Sequence, residues 1–244
     1  MEHHDEIIVN ASDLMWSVRG SAIHNIMENA GSNCIKELRI SEKLNGITVS
    51  GKLDLLEIGS NDNILWDYKD TSVWTYIYNP NGKKEWVAQT NILMYLLNMH
   101  DIAVTGIKIQ LFFRDWNQRE ALVKQSSGYP QRSTIVIDIP EWDPENIELY
   151  IIDRLEKHFK APITHCDESE RWAKPNQWAV QKKGAQKAYR VYNDIDSADK
   201  FLATLKNSSE YEIEFRQGEN TRCEKYCEVN KWCPFWKELQ NANT

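Results

Sequence analysis

Apolar and polar positions divide the chain into helical and extended stretches. Ala11 to Asn29 predicts a helix, with Asn10 or Ser12 as cap and Gly31 as stop. Ile35–Leu44 and Ile47–Ile58 read as strands joined near Asn45-Gly46, and another strand is expected over Asn63–Asp70. The turn formers Gly59-Ser60-Asn61-Asp62 separate the last two strands. Thr71 to Lys84 reads as a loop with a turn at Asn79-Pro80-Asn81-Gly82, and Glu85 to His100 is strongly helical. Two more strands, Ile107–Arg114 and Ser133–Ile139, precede Asp143-Pro144-Glu145, a cap that opens a helix to Lys160. Helix, three strands, helix, two strands, helix predicts a mixed α/β fold, with a central sheet flanked by helices.

Polar residues interrupt this pattern where a sheet normally wants valines. A tight hairpin centred between Ser60 and Asn61 sets Asp54 directly opposite Asp67, with Cβ atoms roughly 5 Å apart. Lys69, two residues beyond Asp67, joins the same face. Facing carboxylates repel unless something compensates. A divalent cation between them does so, and the ammonium beside it adds positive charge. The plainer alternative is a solvated hairpin face.

The chain has 244 residues, 41% of them hydrophobic, enough for one large domain or a domain with a small appendage. Beyond Pro162 the character changes. The division expected is a core over residues 1–162 and a basic, cysteine-rich unit over 163–244 packed on it. That unit is expected to contain a strand–helix–strand segment from Lys187 to Arg216. No apolar run is long enough for a membrane span, and the acidic start is unlike a signal peptide. Five cysteines without a secretory signal suggest a reducing cytoplasm.

Net charge is −7, which argues mildly against nucleic acid as a partner. Its distribution argues otherwise. The segment from Arg171 to Arg190 carries Arg171, Lys174, Lys182, Lys183, Lys187 and Arg190 and no acid, with Trp172, Trp178 and Tyr189 interleaved. Such a segment can follow a phosphate backbone and stack bases; an ordinary loop and helix face is the alternative.

Two helical residues add to the hairpin. His24 follows Gly20 by four positions on the first helix, where a lone histidine is usually structural. Gln89 stands near the start of the helix after the turn loop. The chain order is then Gly20-x3-His24, Glu42, Gly51-x2-Asp54, Asp67-Tyr68-Lys69 and Gln89. This order closely resembles the PD-(D/E)XK nuclease superfamily, in particular its RecB-like branch, with the CRISPR-associated exonuclease and phage-type nucleases. The resemblance implies a restriction-endonuclease-like core. It also implies that His24, Asp54, Asp67 and the Tyr68 backbone carbonyl hold Mg²⁺ or Mn²⁺. Lys69 would orient the attacking water, and Gln89 would match the family's glutamine. Where the family often has a tyrosine four residues after that glutamine, Leu93 stands here; Tyr95 has that spacing from Asn91.

Cys223, Cys227 and Cys233, spaced C-x3-C-x5-C, suggest a metal, with buried structural thiols as the alternative. Cys166 is the expected fourth ligand, Cys34 its competitor, and His165 a substitute in a zinc site. The resemblance implies a [4Fe–4S] cluster, although the first gap is longer than the commoner x2 and the family's fourth cysteine usually precedes the core. The expected activity is a metal-dependent DNA nuclease, most readily an exonuclease acting on ends or single strands in recombination, repair or phage DNA processing, with a recombination or phage protein as partner. A catalytically silent DNA-binding protein and a zinc-stabilised interaction module are the alternatives.

Overall fold

The computed structural model describes residues 4–7, 11–29, 34–60, 62–159 and 166–242. The boundary residues Asn10, Gly31, Asn61, Lys160 and Pro162 lie outside these. The chain divides into two compact units, one of Val9–Pro162 and one of Met1–Ile8 with Ile163–Thr244.

In the first unit, helix α1 (Met15–Glu28) follows a 3₁₀ turn over Ala11–Leu14. The two strands expected on either side of Asn45-Gly46 form one long hairpin, and each is broken at the same level. Its near half pairs β1 (Cys34–Lys36) with β4 (Leu55–Ile58), and its far half pairs β2 (Arg39–Leu44) with β3 (Ile47–Lys52). Across the break, Glu37 N–H donates to the Asp54 carbonyl (3.1 Å) and Leu53 N–H to the Leu38 carbonyl (3.0 Å), so the pairing continues through a bend. Asn45 and Gly46 both have positive φ, 51° and 80°, as a two-residue hairpin turn requires. Glu37, at the bend, also has positive φ (53°), which costs a non-glycine residue about 1 kcal/mol.

β4 turns back into β5 (Asn63–Thr71) with Leu55 opposite Trp66 and Ile58 opposite Asn63, the register of a hairpin centred between Ser60 and Asn61. β5 runs parallel to β6 (Gly106–Phe113), and β6 antiparallel to β7 (Thr134–Asp138). The sheet order is β1-β4-β5-β6-β7. It is a mixed sheet flanked by helices. Ile107, Ile109, Leu111 and Phe113 alternate onto the buried face of β6. Helix α3 (Lys84–Met99) buries Val87, Leu93, Met94, Leu96 and Leu97 in the same core, joined by Ile147 and Ile151 of α5 (Pro144–Phe159). Gly51 lets α3 approach: a Cβ there would stand 2.5 Å from Leu93 Cδ2. By contrast, α1 has no fully buried residue, and Arg19 and His24 reach the sheet through ion pairs and a ring contact.

Two short helices depart from expectation. Val73–Tyr78, expected as part of a loop, is α2; its β-branched and aromatic composition disfavours a helix, but Ser72 Oγ accepts from Thr75 N–H and caps it. α4 (Gln118–Val123) starts the same way, at the Asn117 side chain.

The second unit has a three-stranded sheet in the order β10-β8-β9. The expected strand–helix–strand segment is β9 (Arg190–Tyr192), α6 (Ile195–Thr204) and β10 (Tyr211–Arg216), and the unforeseen β8 (Gln177–Lys182) lies between its strands. Ala179, Val180 and Ala198 are its buried apolar residues, and α7 (Thr221–Lys225) and α8 (Pro234–Ala242) follow. Among the described residues no helix is long and apolar enough to cross a membrane.

Asn91 is fully buried on α3. Its amide donates to the carbonyls of Val87 (2.8 Å) and Pro140 (3.1 Å), and its oxygen accepts from Trp142 N–H (2.7 Å). This side chain fastens the segment between β7 and α5. Asn91→Ala strands the backbone groups it serves, so chemical denaturation is expected to show a loss of about 1–3 kcal/mol.

Candidate metal centre

The two hairpins, centred on Asn45–Gly46 and on Ser60–Asn61, share β4. Extended by one residue past β4, their registers set Asp54 opposite Glu37 on one side and opposite Asp67 on the other. Three carboxyl-bearing residues therefore stand in a row across three adjacent strands. Asp54 lies just before β4 begins, so its side chain takes the place of a strand partner: Oδ2 accepts the Tyr68 backbone N–H at 2.8 Å. N–H and C=O of one strand residue point to the same side, so the Tyr68 carbonyl faces this edge as well.

α1 reaches the row from the face that carries Tyr68 and Asp70. His24 Nδ1 is 3.2 Å from Asp54 Oδ1 and 3.8 Å from Glu37 Oε1, and its ring meets the Tyr68 ring edge-on at 5.9 Å. Arg19, one turn earlier, pairs with Asp70 at 3.2 Å. On the other face, Lys69 Nζ is 2.7 Å from Asp67 Oδ2, an ion pair in a buried setting whose angles fall outside those of a hydrogen bond. Gln89 of α3 bridges the two: its oxygen accepts from Lys69 Nζ (3.2 Å) and its nitrogen donates to Asp67 Oδ1 (3.4 Å). The structure thus brings together His24, Asp54, Asp67, Tyr68, Lys69 and Gln89.

Glu37 is the residue that sequence reasoning missed. The ligand atoms of His24, Glu37 and Asp54 lie within 4.8 Å of one another. The hairpin arithmetic that set Asp54 against Asp67 also finds Glu37, once applied to the Asn45–Gly46 turn. Glu42, the glutamate of the motif order, lies on β2 beside His100 (3.3 Å), in the far half of the broken hairpin. Asn91 and Tyr95 also stand apart from this group. Asn91 serves the backbone, and Tyr95 hydrogen-bonds Glu148, its hydroxyl raised above its usual range by burial and then by that carboxylate.

The row is electrostatically loaded. Burial and then the Asp67 carboxylate push Asp54 up to about 6, against the Tyr68 N–H, His24 and Lys69. Burial also raises Asp67, against Lys69 and His24. An oxygen-rich set with one imidazole, buried and short of positive charge, fits a hard divalent cation.

In the second unit, Cys223, Cys227 and Cys233 are half-buried and Cys166 is exposed; none forms a disulfide. Burial raises the Cys166 and Cys223 thiols; Cys166 also feels Glu170 and then Cys233 and Cys227, and Cys223 feels Cys227, Cys166 and Cys233. Among the described residues no three of these sulfurs lie within 4.8 Å of one another, whereas a tetrahedral zinc site draws thiolates to about 3.8 Å. Cys34 is in β1 of the first unit, and His165 lies outside the described residues.

Most of the basic segment has partners. Lys174 pairs with Glu219 and Lys182 with Glu210. Arg171 bonds Asn220 and lies over Phe235, and Arg190 lies over Tyr192 and Phe201. Lys183 and Lys187 are exposed.

The raised Asp54 carboxyl has a testable consequence. Its folded value, about 6, lies above the unfolded value of ~3.9. The stability it contributes is therefore present below pH ~4 and lost as pH rises to about 6. Asp54→Asn keeps an oxygen for Tyr68 N–H and removes this loss. Metal-free Asp54→Asn is expected to gain on the wild type by on the order of 3 kcal/mol across that window, with no further change above it. Thermal unfolding with and without Mn²⁺ measures this, and Mn²⁺ is expected to stabilise only the wild type strongly.

No curated protein matches the chain. Among solved structures, one described as the crystal structure of SSO0001 aligns over 66% of this chain and 65% of that chain, at 13% identity and a TM-score of 0.38. The aligned region is thus just under two-thirds of that protein. A family model of the PD-(D/E)XK nuclease superfamily matches residues 28–234. His24 falls just before that span, while Glu37, Asp54, Asp67, Lys69, Gln89 and the three C-terminal cysteines fall within it. A mixed sheet flanked by helices, with this carboxylate row at its centre, is the restriction-endonuclease-like arrangement, and the chain belongs to the PD-(D/E)XK nuclease superfamily.

Proposed function

We propose that the protein is a metal-dependent deoxyribonuclease of the RecB-like branch, acting as an exonuclease on DNA ends or single strands in recombination, repair or phage DNA processing. The observation that carries this reading is the Glu37–Asp54–Asp67 row, with His24 on one side and the Lys69–Gln89 pair on the other. His24, Glu37, Asp54, Asp67 and the Tyr68 carbonyl are the residues that would hold Mg²⁺ or Mn²⁺. When bound, the cation supplies Lewis-acid polarisation of a phosphoryl oxygen and neutralises negative charge. Lys69 orients the attacking water and offsets the charge that develops on phosphate. Gln89 holds that ammonium against Asp67 and fixes its direction. Exposed Lys183 and Lys187, with Arg171, Lys174, Lys182 and Arg190, are the cations offered to the DNA backbone.

The test is incubation with end-labelled linear and circular, single- and double-stranded DNA in Mg²⁺, Mn²⁺ or EDTA. An exonuclease degrades the linear forms only and stops in EDTA; cleavage of circles would replace it with an endonuclease. Lys69→Ala is expected to lower cleavage by a factor of ~100 or more while the protein keeps its circular dichroism spectrum and still binds Mn²⁺, with some loss of stability from the unpaired Asp67. Glu37→Gln is expected to weaken Mn²⁺ binding in calorimetry and to lower cleavage with it. Wild-type cleavage by Lys69→Ala refutes the assignment of the water-orienting group.

The reading extends to a [4Fe–4S] cluster on Cys166, Cys223, Cys227 and Cys233 as a staple of the C-terminal unit. A polynuclear cluster spaces its thiolates more widely than a single zinc does, which suits sulfurs that sense one another without converging to 4.8 Å. Protein purified anaerobically is expected to be brown, with about four irons per chain, and loss of any one of these cysteines to destabilise the unit. Colourless protein with about one zinc would assign the site to zinc instead.

A further inference from the structure

The parallel strands β5 and β6 end side by side, and their ends are tied together. Arg114 N–H donates to the Thr71 carbonyl (3.0 Å), and Val73 N–H to Asp115 Oδ1 (2.7 Å). Exposed aromatic rings collect at these ends. On α2, Trp74 and Tyr78 stack with centroids 5.9 Å apart and planes 27° apart, Tyr78 is 76% exposed, and Lys124 Nζ lies 5.9 Å from the Trp74 ring. On α1, Trp16 is 55% exposed; the Arg114 guanidinium lies 4.3 Å from its ring centre and that of Arg19 5.9 Å. Arg19 also pairs with Asp70, three residues along β5 from Asp67, a rise of about 10 Å. The Trp16 patch thus flanks the row along β5, on the α1 side from which His24 also approaches.

We propose that Trp16 with Arg114, and Trp74 with Tyr78, form a base-stacking subsite for single-stranded DNA beside the carboxylate row; the proposal rests on the nuclease reading of that row. Side chains of this size left half or more exposed have not been recruited to the core. A guanidinium over an indole presents a flat, positively charged surface of the kind on which unpaired bases stack. Charge alone does not explain the patch. Asp70 offsets Arg19 and Glu120 offsets Lys124, which leaves Arg114 as the cation here with no carboxylate partner among the described residues. Ring faces are therefore the main attraction. A duplex, whose bases already stack on one another, cannot use them, whereas a single strand can.

The test uses the full chain in EDTA, so that nothing is cut. Fluorescence anisotropy compares a labelled oligothymidylate of about 20 nucleotides, long enough to span a typical single-strand site, with a blunt duplex of equal length. Wild-type protein is expected to prefer the single strand. Trp16→Ala and Trp74→Ala are each expected to weaken that binding roughly 5- to 150-fold, the loss of one base stack, and Trp16→Phe and Trp74→Phe to restore most of it. Mn²⁺ affinity and circular dichroism are expected to be unchanged in all four variants. Equal affinity for single strand and duplex, or alanine variants that bind the single strand as the wild type does, overturns the proposal. So does a wild-type dimer in sedimentation that Trp16→Ala dissociates with no change in DNA binding, which would assign the exposed face to a second copy. Tryptophan-dependent binding without cleavage in Mg²⁺ or Mn²⁺ supports the subsite and sinks the nuclease reading. Cleavage with binding indifferent to both tryptophans does the reverse.

Discussion

Three carboxyl-bearing residues in adjacent strands at one level of a sheet are the constraint around which the first unit is arranged. Two unit charges about 5 Å apart repel by roughly 3 kcal/mol at an effective dielectric near 20, and Glu37, Asp54 and Asp67 make two such neighbours. The fold answers each acid separately. Glu37 takes Lys52, Asp54 takes the Tyr68 N–H and His24, and Asp67 takes Lys69 with Gln89 behind it. These partners do not settle the account, since both aspartates stay above their usual range. What remains uncompensated is negative charge at a point where a cation can enter.

The bend in the long hairpin follows from the same constraint. If β4 continued straight through Asp54, its backbone would pair with Asp67 and the carboxylate would project with the other side chains. By starting only at Leu55, β4 frees Asp54 to reach the edge and accept from Tyr68. Glu37 takes the strained left-handed conformation at the same level. Functional sites are where such backbone conformations collect. Gly51 has a related role, letting α3 come close just before the bend, so that Gln89 can arrive over Lys69 and Asp67.

Much of this was legible in the sequence because it depends on strand register, and register follows from turns. Asn45-Gly46 and the cluster around Ser60 locate both hairpins, and counting outward from them puts Asp54 beside Asp67. The same count reaches Glu37, which motif order, with Glu42 as its glutamate, does not single out, because that order does not say which strand level a residue occupies. α2 stayed hidden because a capping serine outweighed six residues with low helix propensity. Asn91 could not be separated from the site by spacing, since its role is to bond a segment some fifty residues away in sequence. The basic run from Arg171 to Arg190 looked continuous only in the absence of its carboxylate partners, Glu210 and Glu219, which come from later in the chain.

Anomalous diffraction from crystals grown with Mn²⁺ tests most directly whether the carboxylate row exists to hold a metal. A peak is expected in direct contact with His24 and Asp54, between Glu37 and Asp67, and is expected to be lost in Asp54→Asn crystals. A fully occupied Mn²⁺ elsewhere on the first unit, with Asp54 still bonded only to Tyr68 N–H and His24, would contradict that role.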